Sequence, residues 1–378
     1  MAVGSTGSIA EYVGSLAGTF RAPALEPVRF PATAKQVSVV IINYNGRATL
    51  PKTIDSIKSS GFPFAEIIVV DDGSTDGSAD DVRANHPDVR LVSLPENTRN
   101  TSFVRNSGLK LVTTPFALLL DNDVTVLGDS VEKLLDTAQE NEKLLAITPR
   151  LLDEDDRDSI YMDGSVLHFL GLTMKAHREK RACESPLTEP FSSFGSGIML
   201  MRMAIARKIG LFDEAYEFGW GDDGEFHVRG RLMGYDVLHH PGAPFLHAAK
   251  QHGKKRAYAQ LHNRYRFMFT YYSRATLVVL LPSLLIFEIG LLCALIAMGL
   301  GRDWTRAVSA NWRMRKRLMA HREMLQRSRR VRDHDILSSG YFQLPGMVAN
   351  GKVANALAKL IALPLNLNWF LADTLYHL

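Results

Sequence analysis

From residue 37 to residue 120 the chain alternates short apolar runs with amphipathic stretches. Residues 37–42 are almost wholly β-branched, as in a parallel strand buried on both faces. Residues 47–60 bring Leu50, Ile54 and Ile57 onto one helical face. Further strands are predicted at 66–70, 89–94 and 116–120, and further helices at 78–85 and 101–112. Strand and helix at this short spacing predict βαβ units, an α/β fold and a doubly wound sheet. Ligands in such sheets bind beyond the carboxyl ends of the strands. Three polar clusters fall at those ends: Asn43-Tyr44-Asn45, Asp71-Asp72 and Asp121-Asn122-Asp123. Packing alone gives no reason for carboxylates to gather there.

The pattern outside this region is different. Residues 1–35 are rich in Ala, Gly, Ser and Pro and read as an extension with one short helix at 9–16. Residues 150–250 are less regular and hold two glycine-framed segments, Gly195-Ser196-Gly197 and Gly219-Trp220-Gly221-Asp222-Asp223. Two apolar stretches, 275–301 and 353–375, flank a strongly basic one at 302–334. No internal repeat is evident.

Composition narrows the class. The 378 residues, 46% hydrophobic and 22% charged, suffice for a catalytic domain with an appendage. Two cysteines, Cys183 and Cys293, argue against a disulfide framework and fit a reducing compartment. Residues 1–20 have no basic start, and Glu11 interrupts their one apolar stretch, so export is not expected and the catalytic part is placed in the cytosol.

The run 116–120 leads straight into Asp121-Asn122-Asp123. Two carboxylates at i and i+2 past a strand can approach one hard cation or one ribose. Hard oxygen ligands suit Mg2+ or Mn2+, which commonly retain diphosphate oxygens as further ligands. In the second cluster, Ser74 to Gly77 read as a turn and helix cap. That leaves the paired acids Asp71-Asp72 unexplained, and one of them can accept from a base or a ribose hydroxyl.

The ordered set of motifs resembles the family 2 glycosyltransferases of the GT-A fold. It runs Val39-Val40-Ile41-Ile42-Asn43-Tyr44-Asn45, Val69-Val70-Asp71-Asp72-Gly73-Ser74-Thr75-Asp76, Asn97 with Val104-Arg105-Asn106-Ser107-Gly108, and Leu120-Asp121-Asn122-Asp123-Val124. It continues through Gly195-Ser196-Gly197, Gly210-Leu211-Phe212-Asp213-Glu214 and Trp220-Gly221-Asp222-Asp223-Gly224-Glu225-Phe226, and ends near His247. The resemblance implies a GT-A, Rossmann-like nucleotide-sugar-binding domain over 36–262, followed by a C-terminal helical, membrane-associating region over 263–378.

The resemblance also implies roles. Asp72 contacts the nucleotide base, Arg105 lies near the phosphates, Asp121 serves the ribose side and Asp123 ligates the metal. Asn43, Asn45, Asn122 and Gly197 fall in the same donor-binding segments, with Gly197 letting backbone approach the donor sugar. His247 completes the metal site, and Asp223 is the general base on the acceptor hydroxyl. The usual Glu-Asp pair is here Asp222-Asp223, followed by Gly224-Glu225, which leaves the choice of base between the two aspartates open. Trp220 precedes them and is a candidate floor for the acceptor sugar or a core aromatic. The implied reaction is an inverting, metal-dependent sugar transfer from a nucleotide-sugar donor to a glycan or lipid-linked acceptor. Rhamnosyl- and galactofuranosyltransferases share these motifs, so UDP-, dTDP- and GDP-sugars all remain candidate donors.

The chemistry agrees with this reading from the residues upward. A cation at Asp123 and His247 would neutralise the leaving diphosphate. A carboxylate at the start of a helix from Glu225 can serve as base, where the helix N-terminus favours negative charge.

Residues 275–301 are long enough to span a bilayer, but Pro282 and Glu288 lie inside and arginines stand on both sides. An in-plane or hairpin element at the cytoplasmic face keeps both basic flanks on one side, against anionic headgroups. Residues 353–375 would add a second interfacial anchor. The alternative is a pair of core helices or a homo-oligomer interface. The basic run lacks regularly interleaved aromatics, so nucleic acid is not an expected partner. A sugar nucleotidyltransferase would carry a glycine-rich basic loop after the first strand, where Asn43-Tyr44-Asn45-Gly46-Arg47 stands instead. A catalytically inactive sugar-nucleotide- or glycan-binding scaffold subunit at the membrane is the other class. The intact Asp121, Asp123, Asp223 and His247 speak against it.

Overall fold

The computed structural model describes residues 35–175, 180–185, 187, 189–216, 221–248, 257–339, 364–371 and 374. The helix expected at 9–16, Trp220 and residues 353–363 lie outside the described residues.

The first half follows the predicted alternation. Strands β1 (Val37–Asn43), β2 (Glu66–Asp71), β3 (Arg90–Ser93) and β4 (Phe116–Asp121) alternate with helices α1 (Leu50–Ser59), α2 (Ser78–Asn85) and α3 (Thr101–Leu109). The four strands pair in parallel, with β1 between β4 and β2, and β2 between β1 and β3. Their side chains feed two cores. Val37, Val39 and Ile41 pack with Leu50, Ile54 and Ile57 on one face, and Val40 and Val70 pack with Val104 and Leu109 on the other. A sheet covered on both faces explains the near-continuous apolar strands.

The sheet is mixed, however, and its second half was not evident from the pattern of residues. Strands β6 (Leu144–Asp153), β10 (Phe191–Ser192), β11 (Met199–Arg202) and β12 (Asp236–His247) extend it in the order β10-β12-β6-β11-β4-β1-β2-β3; β7 (Ile160–Met162) pairs antiparallel with β6, and β8 (Ser165–His168) and β9 (Leu172–Lys175) pair with each other in a separate small sheet. β11 runs antiparallel to both β4 and β6. The short strand β5 (Val124–Val126), directly after the third polar cluster, pairs antiparallel with β12. That pairing sets His247 opposite Val124, and the Ala248 amide donates to the Asp123 carbonyl at 3.0 Å.

Helices α4 (Ser130–Glu140), α5 (Met203–Lys208) and α6 (Asp222–Leu232) complete this layer. The C-terminal part is helical: α7 (Ala257–Tyr271), α8 (Arg274–Val279), α9 (Leu281–Ala297), α10 (Gly301–Arg313) and α11 (Arg315–Ser328). One apolar core runs from Val166, Val228 and Leu232 into Leu261, Phe287 and Leu325, so these helices share a core with the sheet region. The boundary after residue 262 falls inside α7. The stretch at 275–301 is not one span: the chain breaks at Leu280 and turns at Gly299, which has φ +76°. Among the described residues no helix is long and apolar enough to cross a membrane.

Candidate active site

The carboxyl ends of β1, β2 and β4 hold two groups of polar side chains. The first is closed on itself. Asn43, 2% exposed, donates through Nδ2 to Asp71 Oδ1 at 2.7 Å and to the Ser74 and Ser78 hydroxyls, and its Oδ1 accepts from Asn122 Nδ2 at 2.7 Å. Asp71 also accepts from the Ser74 hydroxyl at 2.6 Å and the Ser74 amide at 3.1 Å. Asn45, at φ 51°, accepts on Oδ1 from the Thr75 amide and donates its own amide to the Ser74 hydroxyl. Gly46 is needed for this closeness: a Cβ there would come within 2.3 Å of both Asn122 Nδ2 and Asn43 Oδ1. Asp72 joins the next loop, accepting from the Thr98 amide at 2.9 Å. The structure therefore gathers Asn43, Asn45, Asp72 and Asn122 at the strand ends as expected, with their side chains holding three loops in register.

The second group is open. Asp121 Oδ1, Asp123 Oδ1 and His247 Nδ1 are buried atoms with no hydrogen-bond partner. One ligand atom from each residue lies within 4.8 Å of the others, and His247 Nε2 is 3.4 Å from Asp123 Oδ1. Unpaired buried oxygens are costly. Two carboxylates and an imidazole converging in this way form a donor set suited to a hard divalent cation, so the residues fit Mg2+ or Mn2+. Tyr161 packs against the His247 ring at 4.9 Å, holding its orientation.

Arg105 links this group to helix α6. Gly108 permits close docking of α3 on the sheet, since a Cβ there would strike Val40 and Val70. The buried Arg105 guanidinium donates to Asp222 Oδ2 at 2.5 Å and lies 3.6 Å from Asp121 Oδ1. Burial works against its charge, but Asp222, Asp121 and Asp223 outweigh that and hold its pKa above the ordinary value. Burial pushes the carboxyls of Asp121 and Asp222 up, with Arg105 opposing both shifts. Gly197 gives the guanidinium room, because a Cβ would sit 2.1 Å from Arg105 Nη2. Arg105 thus faces two carboxylates, Asp121 and Asp222.

The two candidate bases differ. Asp222 is buried and paired with Arg105, whereas Asp223 is half-buried and accepts from the Gly224 amide at 2.7 Å. Both open helix α6, after Gly221 at φ 81°.

Three buried polar arrangements escaped the sequence reading. His227 Nδ1 accepts from the Gly195 amide at 2.9 Å and fixes the glycine segment beside Arg105. Burial, helped by the Arg105 charge, pushes its pKa down to about 3, so the ring is neutral. Glu225 is fully buried, paired with Arg229 at 2.6 Å and accepting from the Tyr271 hydroxyl. Asp163 accepts two hydrogen bonds from Arg150, at 2.8 and 2.9 Å, and approaches His239 Nε2 at 3.1 Å. A charged residue i+4 from another on a helix, as Glu225 and Arg229 are, was the one available sequence signal.

Paired acids past a central parallel strand, a second acid pair on a helix start and a mixed ten-stranded sheet make this a GT-A-like α/β fold. Residues 38–210 match the family model described as glycosyl transferase family 2, and this part of the chain belongs to that family. Poly-beta-1,6-N-acetyl-D-glucosamine synthase of Staphylococcus epidermidis is 32% identical over 120 residues, 30% of this chain and 29% of that one. Poly(ribitol-phosphate) beta-N-acetylglucosaminyltransferase TarP of Staphylococcus aureus is 31% identical over 120 residues, 30% of this chain and 36% of that one. Hyaluronan synthase of Pasteurella multocida is 27% identical over 218 residues, 51% of this chain and 22% of that one. The chain thus spans between 22% and 36% of the length of these relatives. The crystal structure of GalNAc-T7 with UDP, GalNAc and Mn2+ has the same fold, with a TM-score of 0.54 at 17% identity, covering 67% of this chain and 52% of that one.

Proposed function

We propose that the chain is an inverting, metal-dependent glycosyltransferase. It would move a sugar from a UDP-, dTDP- or GDP-sugar to a glycan or lipid-linked acceptor at the cytoplasmic face of a membrane, in cell-surface polysaccharide or glycolipid synthesis. The observation that carries this is the converging trio Asp121, Asp123 and His247, each with a buried atom that makes no hydrogen bond, joined through Arg105 to a helix that begins with Asp222-Asp223. The polymer-building relatives support the class of product.

Asp121, Asp123 and His247 would hold the cation, which when bound supplies positive charge to the leaving diphosphate. Arg105 keeps Asp121 and Asp222 in place and shields their mutual repulsion. Asp223, not committed to the Arg105 pair, takes the proton of the acceptor hydroxyl. The hydroxyl oxygen bonds to the anomeric carbon, the bond from that carbon to the diphosphate oxygen breaks, and a nucleoside diphosphate leaves. One displacement inverts the anomeric centre.

Isothermal titration of UDP, dTDP and GDP with Mn2+, beside transfer assays on wild type and Asp223→Asn, tests the reading. Donor binding unchanged with transfer lost supports it. Wild-type turnover in the variant sinks the assignment of the base.

A further inference from the structure

Helix α9 is apolar on both sides. Leu284, Phe287, Leu291 and Leu295 are buried in the core. On the opposite side Leu281, Leu285, Ile289 and Ile296 are 50%, 53%, 64% and 63% exposed, and Val278 of α8 is 70% exposed. Steps of three, four and seven residues put these five on one stripe. Glu288, the only charged residue in 275–301, is turned away from it: it accepts from Arg264 and, at 2.7 Å, from the Tyr265 hydroxyl. The stripe therefore carries no charge. Leu367 and Phe370, 61% and 67% exposed, lie on a segment tied to α8 by Asn368 donating to the Val279 carbonyl. Exposed apolar side chains gathered in this way mark an interaction site.

Its neighbourhood is cationic. An open cleft of about 370 Å³ is lined by Arg274, Arg322, Arg327, Met319, Glu323 and Gln326. Arg274 stands four residues before Val278 on α8, at the edge of the stripe. Arg322 is 5% exposed, held by the carbonyls of Phe269 and Tyr272. Burial and the charges of Arg274 and Arg329 disfavour its protonated form, a repulsion that an anion in the cleft would relieve. Helices α10 and α11 add the exposed Arg302, Arg306, Arg313 and Lys316.

We infer that this face is a membrane-docking surface: α8 and α9 lie in the plane of an anionic bilayer, with the stripe among the acyl chains and a lipid phosphate in the arginine cleft. Charge complementarity chooses the occupant. A second copy of the chain would bring the same cations to the same edge, whereas an anionic lipid surface offers both acyl chains and negative charge. The stripe is too short to cross a bilayer and well shaped to rest on one, and Pro282 and the break at Leu280 cost nothing to a helix pair lying flat. The inference does not rest on the transferase reading.

The test is flotation of the protein with phosphatidylcholine vesicles and with vesicles containing an equal share of phosphatidylglycerol. Wild type should bind the anionic vesicles more tightly than the neutral ones. Ile289→Asp should weaken binding to both by roughly tenfold or more, and Arg274→Glu with Arg327→Glu should weaken only the anionic case by a similar factor. Both variants should keep the wild-type melting temperature and nucleotide-induced thermal shift, which shows that they are folded and keeps this test separate from that of catalysis. Absence of vesicle binding by wild type, or unchanged binding by Ile289→Asp, overturns the inference. So does a wild-type dimer in solution that Ile289→Asp dissolves, since that assigns the stripe to a second copy.

Discussion

Two groups of polar side chains occupy the same strand ends and are satisfied in opposite ways. Around Asn43, Asp71, Ser74 and Asn122 the side-chain donors and acceptors find each other within the chain. Around Asp121, Asp123 and His247 buried atoms have none. The difference separates two uses of polarity. The first group fixes loops and stabilises the fold. The second retains unmet bonding capacity, which costs stability and is kept where a ligand supplies the missing partner.

The comparison makes opposite predictions for neighbouring residues. The largest effect is expected from Asp223→Asn, which should lower kcat roughly 10²–10⁴-fold with donor affinity retained. Asp123→Ala should lower metal-stimulated turnover on the order of 10²–10³-fold. Measured without divalent cation, its melting temperature should equal or exceed that of wild type, because the repulsion between Asp121 and Asp123 and the unmet hydrogen-bonding capacity of Asp123 Oδ1 have gone. If Asp123→Ala instead unfolds the protein, the comparison breaks. Asn43→Ala should behave in reverse, losing about 2–4 kcal/mol in urea unfolding because Asp71, Asn122 and the Ser74 and Ser78 hydroxyls each lose a partner, whatever its activity.

The smallest effect sharpens the boundary between the groups. His227 is neutral in the fold, with a pKa pushed down to about 3 against an ordinary 6.5. Between those values the unfolded chain binds a proton that the folded chain does not, so stability falls as pH drops below 6.5. The loss by pH 5 is about 2 kcal/mol from this group alone. Melting temperatures from pH 7 to 5 should fall less steeply in His227→Gln than in wild type.

The parallel half of the sheet was legible because buried strands and amphipathic helices leave period and composition in the sequence, as 37–42 and 47–60 do. The second half was not, because β11 and β12 are placed by pairing with distant strands that local pattern does not name. The same limit hid the site's connections. His247 meets Asp123 through the register of β12 on β5, and Arg105 meets Asp222 across two helices. Glu288 counted against a bilayer span at 275–301, but the sequence did not tell which way it points. Turned to Arg264 and Tyr265, it leaves the outer face of α9 uncharged.

Glu225 stands two residues beyond Asp223, and its bond to Tyr271 has a mechanical consequence. Helix α6, which opens with the candidate bases Asp222-Asp223, is bolted at its first turn to α7, the first element of the C-terminal layer. Burial and the Glu225 charge raise the Tyr271 phenol's pKa well above its ordinary value, so the donor keeps its proton. Removing the C-terminal helices would leave Glu225 and Arg229 without Tyr271 over them and loosen the footing of Asp222-Asp223. A force on α7 therefore has a direct path, through one side-chain bond, to the first turn of the helix that carries Asp222-Asp223.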